Sequence, residues 1–350
     1  MEKADIKSLT LNELNTFLST LNQPSYRAAQ IFKWLYRGIT DFDEMTDLSK
    51  ELRNILKEKA FIDILETEKK LVSKTDGTVK YLFRLKDGEH IESVVMSYKH
   101  GNSICISSQV GCKMGCAFCA STIGGFKRNL TAAEMLNQII FAQNDYGQKI
   151  GNIVIMGIGE PLDNYTNVLV FLENINSKEG LNISHRHISL STCGIVDKIN
   201  DLAKKRLQIT VSVSLHAPND AIRNRIMPIN KKWDIDELIK SCHYYIEETG
   251  RRISFEYTLI DGVNDSLECA DELAQRLAGL ICHVNLIAVN PIREKCFSKS
   301  SAEMVAKFQK RLLEKGINAT VRRVLGADIN ASCGQLRADF SAEGIGEERI

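Results

Sequence analysis

The chain has almost no charge imbalance: 45 Lys and Arg stand against 44 Asp and Glu, a formal net charge of +1. Together with a 44% hydrophobic content, that balance excludes intrinsic disorder and a strongly basic nucleic-acid coat. No apolar run approaches the roughly 20 residues that span a bilayer, so no membrane partner is expected. The opening stretch from Met1 to Lys7 contains no apolar h-region, so a secretory signal is not expected and a cytoplasmic location is. Low-complexity linkers and solenoid-type repeats are also missing. Cysteine is absent from the first 100 residues.

After that point there are ten cysteines, and their distribution is uneven. Cys105, Cys112, Cys116 and Cys119 fall close together, Cys193, Cys242, Cys269, Cys282 and Cys296 are scattered, and Cys333 lies near the end. In a reducing compartment such residues serve metal binding, catalysis or core packing rather than structural disulfides.

The first sixty residues carry helical periodicity. Leu9, Leu11, Leu14, Phe17, Leu18 and Leu21 precede a stop at Pro24, and further helices are predicted over 26–36 and 50–59. Between 66 and 98 the pattern turns to short β segments, with hairpin signals at Asp76-Gly77 and Asp87-Gly88. From 104 onward strands and helices alternate. Strands are predicted at 104–110, 152–157, 187–190, 208–215, 253–259 and 282–289, and helices at 131–146, 166–175, 196–204, 235–248, 267–277 and 302–315. A last strand is predicted at 319–324. Six βα units predict a parallel sheet closed into an incomplete (β/α)6 TIM-like barrel, with a doubly wound open sheet as the competing topology. The expected organisation is a helical appendage over 1–62, short β segments over 63–100, the barrel over 101–340 and a frayed tail over 341–350.

In parallel βα folds, functional groups gather where strands end. Directly after the first barrel strand stands Cys112-Lys113-Met114-Gly115-Cys116-Ala117-Phe118-Cys119, a CxxxCxxC. Three thiolates on a short loop can hold three irons of a cubane cluster and leave the fourth open to a small molecule. A structural zinc site normally takes four protein ligands in paired spacings, and no fourth partner is so spaced. Gly159-Glu160 follows the second strand, Ser191 ends the third, Ser214-Leu215-His216 ends the fourth and Asn290 follows the sixth. Taken singly, each is as well explained as a turn, a cap or a satisfied core polar group.

The CxxxCxxC at this position resembles the radical S-adenosylmethionine (SAM) superfamily. The resemblance implies a [4Fe–4S] cluster on Cys112, Cys116 and Cys119, with SAM on the open iron. Gly159 and Glu160 would then meet the SAM amine, and Ser191, Ser214, Leu215, His216 and Asn290 its ribose, methionine and adenine. A longer ordered series narrows the match: Cys105-Ile106-Ser107-Ser108-Gln109-Val110-Gly111-Cys112, Gly159-Glu160-Pro161-Leu162, Ser214-Leu215-His216-Ala217-Pro218, Met227-Pro228-Ile229-Asn230, His283-Val284-Asn285-Leu286-Ile287 and Asp328-Ile329-Asn330-Ala331-Ser332-Cys333-Gly334-Gln335-Leu336. This series resembles the RlmN family, radical SAM methyltransferases acting on carbon 2 of adenine in 23S rRNA and tRNA.

That resemblance implies a mechanism. Carbon 2 of adenine lies between two nitrogens and is not a nucleophile, so it cannot simply attack the SAM methyl. In the family a cysteine, matched here by Cys333, first accepts a methyl from one SAM. A radical derived from a second SAM then activates that methyl, which couples to the base as a protein–RNA adduct. Cys105 matches the thiol that resolves the adduct by forming a disulfide, and thiol attack on sulfur is established chemistry. Glu92, in Ile91-Glu92-Ser93-Val94-Val95, matches the base that removes the carbon-2 proton; read by itself it is an exposed strand glutamate. The remaining cysteines, Cys193 among them, read as small apolar residues.

Expected partners are 23S rRNA before full ribosome assembly, tRNA, and an electron donor such as flavodoxin or ferredoxin; a monomer is expected. With no overall positive charge, RNA contact must come from local groups. The candidates are the basic runs Lys127-Arg128, Lys204-Lys205-Arg206, Lys231-Lys232, Arg251-Arg252 and Arg322-Arg323, each read by itself as a solvated face, and the N-terminal Tyr26, Arg27, Trp34, Tyr36 and Arg37, which resemble the family's RNA-binding appendage. The paralogous chloramphenicol–florfenicol resistance methyltransferase, which alkylates carbon 8, is the nearest rival. It tends to carry Gly-Glu-Ala and Ser-Thr-Ile-Gly where this chain has Gly159-Glu160-Pro161 and Ser191-Thr192-Cys193-Gly194. A non-catalytic, metal-stabilised RNA-binding protein is the rival from another class.

Overall fold

The structure is a computed structural model and describes residues 3–290, 292 and 294–336. The expected tail at 341–350 lies outside the described residues. The N-terminal part opens with β1 (Ala4–Asp5), followed by α1 (Leu11–Thr20), α2 (Tyr26–Leu35) and α3 (Lys50–Lys59). It returns through β2 (Ala60–Phe61), which pairs in parallel with β1 and so brings the two ends of the segment together. A capping box at Thr10 and Glu13 starts α1, satisfying N–H groups that the first turn leaves open.

Next come β3 (Glu66–Val72), β4 (Val79–Arg84) and β5 (His90–Tyr98), joined by turns at the predicted Asp-Gly pairs. They do not stand apart from the barrel. β5 pairs antiparallel with β6 (Gly101–Ile106), the first barrel strand, so the three strands extend the same sheet. The strand expected over 104–110 is broken at Ser107-Ser108. β7 (Gln109–Gly111) leaves the sheet and pairs with β8 (Phe126–Asn129) in a separate small ladder. The break is sealed by Gln138, which accepts from Ser107 N–H at 2.7 Å and donates to its carbonyl at 2.9 Å.

Helix α4 (Ala132–Tyr146) then leads to β9 (Ile150–Ile155), α5 (Tyr165–Asn176), β10 (Ile188–Thr192), α6 (Val196–Lys204) and β11 (Thr210–Ser214). A short α7 (Asp220–Ile226), not predicted, precedes α8 (Ile235–Thr249), β12 (Ile253–Leu259) and α9 (Leu267–Arg276). The barrel ends with β13 (Cys282–Ala288), α10 (Ala302–Glu314) and β14 (Ala319–Val321). Sheet order decides between the two competing topologies. The parallel strands run β6-β9-β10-β11-β12-β13-β14 in chain order, with no reversal of the kind a doubly wound sheet requires. The sheet is therefore singly wound, as an incomplete barrel is.

Helix α4 is buried on nearly all sides, from Ala132 to Ala142, because it lies between the sheet and the N-terminal segment. Its polar residues serve both neighbours. Asn137 accepts from Lys7 Nζ at 2.7 Å and donates to Asp63, while Gln138 bonds the sheet. One apolar cluster runs unbroken from Leu14 and Phe32 through Ile139 to the barrel interior.

Candidate active site

The cluster loop hangs from the β7–β8 ladder. Cys112 N–H donates to Gly125 O at 3.1 Å, and Gly111, at φ +71°, makes this approach possible. A Cβ at Gly111 would lie 1.7 Å from Gly125 O, so no other residue fits. Deeper in the loop, Ala117 N–H bonds Ile226 O at 2.8 Å and ties the three cysteines to the segment after β11. Cys112, Cys116 and Cys119 line one wall of a cavity of about 970 Å³ at the C-terminal ends of the strands. Burial pushes the Cys112 thiol up to about 11 and raises Cys116 and Cys119 as well, each reinforced by its neighbours' charge.

Most of the predicted strand-end residues share this cavity. Gly159, Glu160, Ser191, Ser214, His216 and Asn290 all line it. Glu160 is buried, its carboxylate accepting from Cys193 N–H at 2.7 Å and Leu162 N–H at 2.9 Å. Burial raises its pKa, and those two donors oppose the rise. The N–H of Glu160 is held by Gln109 Oε1 at 2.9 Å, while Gln109 Nε2 reaches Asn129 and Asp163 at 2.8 Å each. His216, at φ +55°, accepts Thr258 N–H on Nδ1 at 2.9 Å and meets Phe118 edge-on. Burial, then the Arg223 charge, holds it down at about 3, so it is a neutral imidazole and no acid–base group. Leu215 is the exception. It is fully buried outside the cavity lining, its N–H bonded to Glu256 O and its carbonyl to Arg223 Nε.

Cys333 borders the same cavity on a loop pinned at several points. Asn290 Nδ2 donates to Cys333 O at 2.9 Å, Ala120 N–H to Gly334 O at 2.8 Å and Ser121 Oγ to Leu336 O at 2.7 Å. The β3–β4 turn holds the other end: Asp328 accepts from Ser73 Oγ at 2.7 Å and Lys74 N–H at 2.9 Å, and Asp76 accepts from Gly326 N–H at 2.8 Å. Cys105 sits beneath this loop, packed with Val94, Ile329 and Ala331, and outside the cavity lining. Its thiol is pushed up to about 12 by burial and then by the charge of Cys333, with Arg322 pulling the other way. All ten cysteines are free thiols, so the expected Cys105–Cys333 disulfide is absent from this state.

Glu92 is not the exposed strand glutamate that its local pattern suggests. It is fully buried on β5, ion-paired to Lys80 Nζ at 3.0 Å, and Lys80 also donates to Asn330 O at 3.2 Å. Alternation fails as a guide here because the C-terminal loop covers this part of the sheet. Like Cys105, Glu92 lies outside the cavity lining.

Comparison with known proteins agrees with this geometry. Residues 4–62 match the Ribosomal RNA large subunit methyltransferase N-terminal domain, and residues 106–277 match the Radical SAM superfamily. The chain is 55% identical to the probable dual-specificity RNA methyltransferase RlmN of Alkaliphilus oremlandii, covering 96% of this chain and 98% of that one. To the protein of the same name from Lachnospira eligens it is 52% identical, covering 96% of each. The chain belongs to the RlmN family of radical SAM RNA methyltransferases. A crystal structure of a radical SAM methyltransferase from Sphaerobacter thermophilus is 45% identical, covers 97% of this chain and 100% of that one, and superposes with a TM-score of 0.92.

As a radical SAM enzyme, an RlmN-family chain uses a [4Fe–4S] cluster and SAM, and the cavity fits both. Cys112, Cys116 and Cys119 bring three thiols from one short loop to a single cavity, the donor set that a cubane with one open iron takes. Opposite them, the buried Glu256 Oε2 lines the cavity with no hydrogen-bond partner, an acceptor open to a ligand's donor. Two arginines supply positive charge. Fully buried Arg223 bonds Cys193 O at 2.7 Å, Leu215 O at 3.1 Å, Ser214 O at 3.2 Å and Asn230 Oδ1 at 2.8 Å. Arg322 lines the cavity 3.8 Å from Glu256 Oε2, and the charge of Cys333 raises its pKa above all other influences.

Sequence reasoning missed Arg223 and Glu256, and read Arg322 only as half of a surface pair. The legible signal for Glu256 was a lone acid inside an otherwise buried strand, β12. Other basic pairs are committed internally: Arg128 to Glu134 and Asp87, Arg206 to Glu248, Arg251 to Ile209 O.

Proposed function

We propose that this RNA methyltransferase acts on carbon 2 of an adenine in 23S rRNA, at the peptidyl-transferase centre, and of the adenine 3′ of the anticodon in tRNAs. Each turnover uses two SAM molecules and a methyl carried as S-methyl on Cys333. The observation that carries the reading is the pairing of two free thiols: Cys333 on the cavity wall and Cys105 directly beneath its loop. A heterocyclic carbon that is no nucleophile needs a methyl delivered from the protein, and the protein then needs a second thiol to let go.

In this reading Cys112, Cys116 and Cys119 hold the cluster, and Gly159, Glu160, Ser191, Ser214, His216 and Asn290 surround SAM. Bound there, cluster and SAM supply a one-electron route to a carbon radical. Cys333 presents its sulfur from a loop fixed by Asn290 and Asp328, so the methyl stays aimed at the cavity. Cys105 attacks the Cys333 sulfur to free the product, and the resulting disulfide is reduced before the next cycle. Glu92, held by Lys80, takes the carbon-2 proton, which requires the bound RNA to bring that proton within hydrogen-bond reach. The target base must leave its stack to enter the cavity. Residues 1–62, with Tyr26 exposed and Arg27 stacked on it at 5.0 Å, form the RNA-binding appendage.

Mass spectrometry of nucleosides from both RNA classes, after anaerobic reaction with the reconstituted enzyme, tests this. The expected product is 2-methyladenosine in each. Finding only 8-methyladenosine would assign the chain to the resistance-type chemistry instead.

A further inference from the structure

The cluster loop has an outer side as well as an inner one. Lys113 and Met114, between the first two cluster cysteines, border a second depression of about 1240 Å³ whose other walls are residues 162–163, 195–198 and 228–233. Met114 belongs to both hollows: its buried side chain lines the cofactor cavity and floors the outer groove. The groove is basic. Lys231 and Lys232 are exposed and, among the described residues, make no ion pair; Lys232 lies over the Trp233 ring at 4.1 Å. Lys198 stands at the same rim, 3.8 Å from Asp201, Lys113 is paired with Asp163 at 2.9 Å, and Asp197 is the other acid of the lining, so the net positive charge rests on Lys231 and Lys232.

Position separates this groove from the substrate side. Its walls follow β9, β10 and β11, whereas Cys333, Asn290 and Arg322 follow β13 and β14 across the sheet order. RNA docked over the groove would gain phosphate contacts on the β9–β11 side of the sheet order, not on the β13–β14 side that carries Cys333. A one-electron carrier docked there would be one methionine side chain from the cluster loop.

We propose that the groove around Lys198, Lys231, Lys232 and Trp233 is the docking surface for an acidic one-electron donor protein. The inference rests on the radical SAM reading above and adds where the electron enters. The donor is oxidised by one electron, and the group held by Cys112, Cys116 and Cys119 is reduced by one; no atom is transferred. Opposite charges steer such encounters and set their on-rate, and electron-transfer interfaces are small, so a few lysines suffice.

The test uses reconstituted holoenzyme and a recombinant flavodoxin. Zero-length carbodiimide coupling followed by peptide mass spectrometry should join flavodoxin carboxylates to Lys198, Lys231 or Lys232. The double variant Lys231→Glu/Lys232→Glu should bind flavodoxin on the order of tenfold more weakly, with a flattened salt dependence. Flavodoxin-driven SAM cleavage should fall alike, while dithionite-driven cleavage and RNA affinity stay near wild type. Unchanged flavodoxin affinity in the variant overturns the proposal. Loss of RNA affinity with flavodoxin binding intact also overturns it and gives the groove to RNA. Failure of the wild type to cleave SAM with dithionite would instead sink the radical SAM reading, whatever flavodoxin does.

Discussion

Cys105 and Cys333 are both free thiols, but their surroundings differ. Cys333 borders the cavity and faces Arg322, whereas Cys105 is enclosed by apolar side chains with its thiol pushed up to about 12. A thiol so protonated is a weak nucleophile, so the resolving role proposed for it requires that its proton be removed. Cys105→Ala should therefore accumulate a covalent RNA adduct that survives denaturing electrophoresis, and Cys333→Ala should form none. Normal turnover by Cys105→Ala would end the resolving assignment. His216 gives a second residue-scale expectation. Its pKa is about 3 when folded against an ordinary 6.5, so the unfolded chain binds a proton that the folded one refuses. The stability this contributes is present above pH 6.5 and is lost as pH falls toward 3. Denaturant midpoints should decline on acidification below about 6.5, and His216→Gln should flatten that decline. Parallel curves for the two proteins would show that another group is responsible. At this scale the CxxxCxxC loop was legible because spacing within one loop is local, and the structure brings its three cysteines to the cavity. Burial of Glu92 was not, since the covering loop comes from more than 200 residues away in sequence, at Asp328 to Asn330.

Among the elements, the loop between β7 and β8 is tightly closed. Its base closes on the contact between Gly111 and Gly125 O, where a Cβ would sit at 1.7 Å, and φ at Gly111 is +71°. Gly111→Ala should leave the far-ultraviolet dichroism of the barrel intact while iron bound per chain drops several-fold. Full iron loading would show that the loop can reshape. Helices were well placed from periodicity alone: α6 falls on 196–204 as predicted, and α4, α8, α9 and α10 differ by a residue at one end. Strand 104–110 failed at Ser107-Ser108, where a short polar step between Ile106 and Val110 did not by itself show that Ser107 leaves the sheet to be held by Gln138 on α4. Similarly, β3 to β5 read as a lead-in, but their turn anchors Asp328 and Gly326 and so positions the Cys333 loop.

For the molecule as a whole, the N-terminal segment is integral to the fold. Its apolar residues join the same cluster as α4 and the barrel, and Lys7, fully buried, reaches Asn137 Oδ1 and Asp63 O. Burial holds the Lys7 amine down at about 8, so those partners are what keep it tolerable inside. A chain lacking residues 1–62 should expose the outer face of α4 and lose its cooperative thermal transition. A sharp melt near that of the full chain would show the barrel to be self-sufficient.

Cysteine spacing and strand–helix alternation are local properties, so the sequence alone established a series of parallel βα units with a CxxxCxxC loop after the first strand. Whether the sheet is singly or doubly wound depends on which strands pair, and only the tertiary structure decided that. The same holds for the charges in and beside the cavity, Glu256 and Arg322 in its lining and Arg223 bonded to the carbonyls of Cys193 and Ser214. Arg223, Glu256 and Arg322 come from three separate elements, and no window of sequence contains them together. Their role arises from convergence in space, where low dielectric makes each charge count against the others.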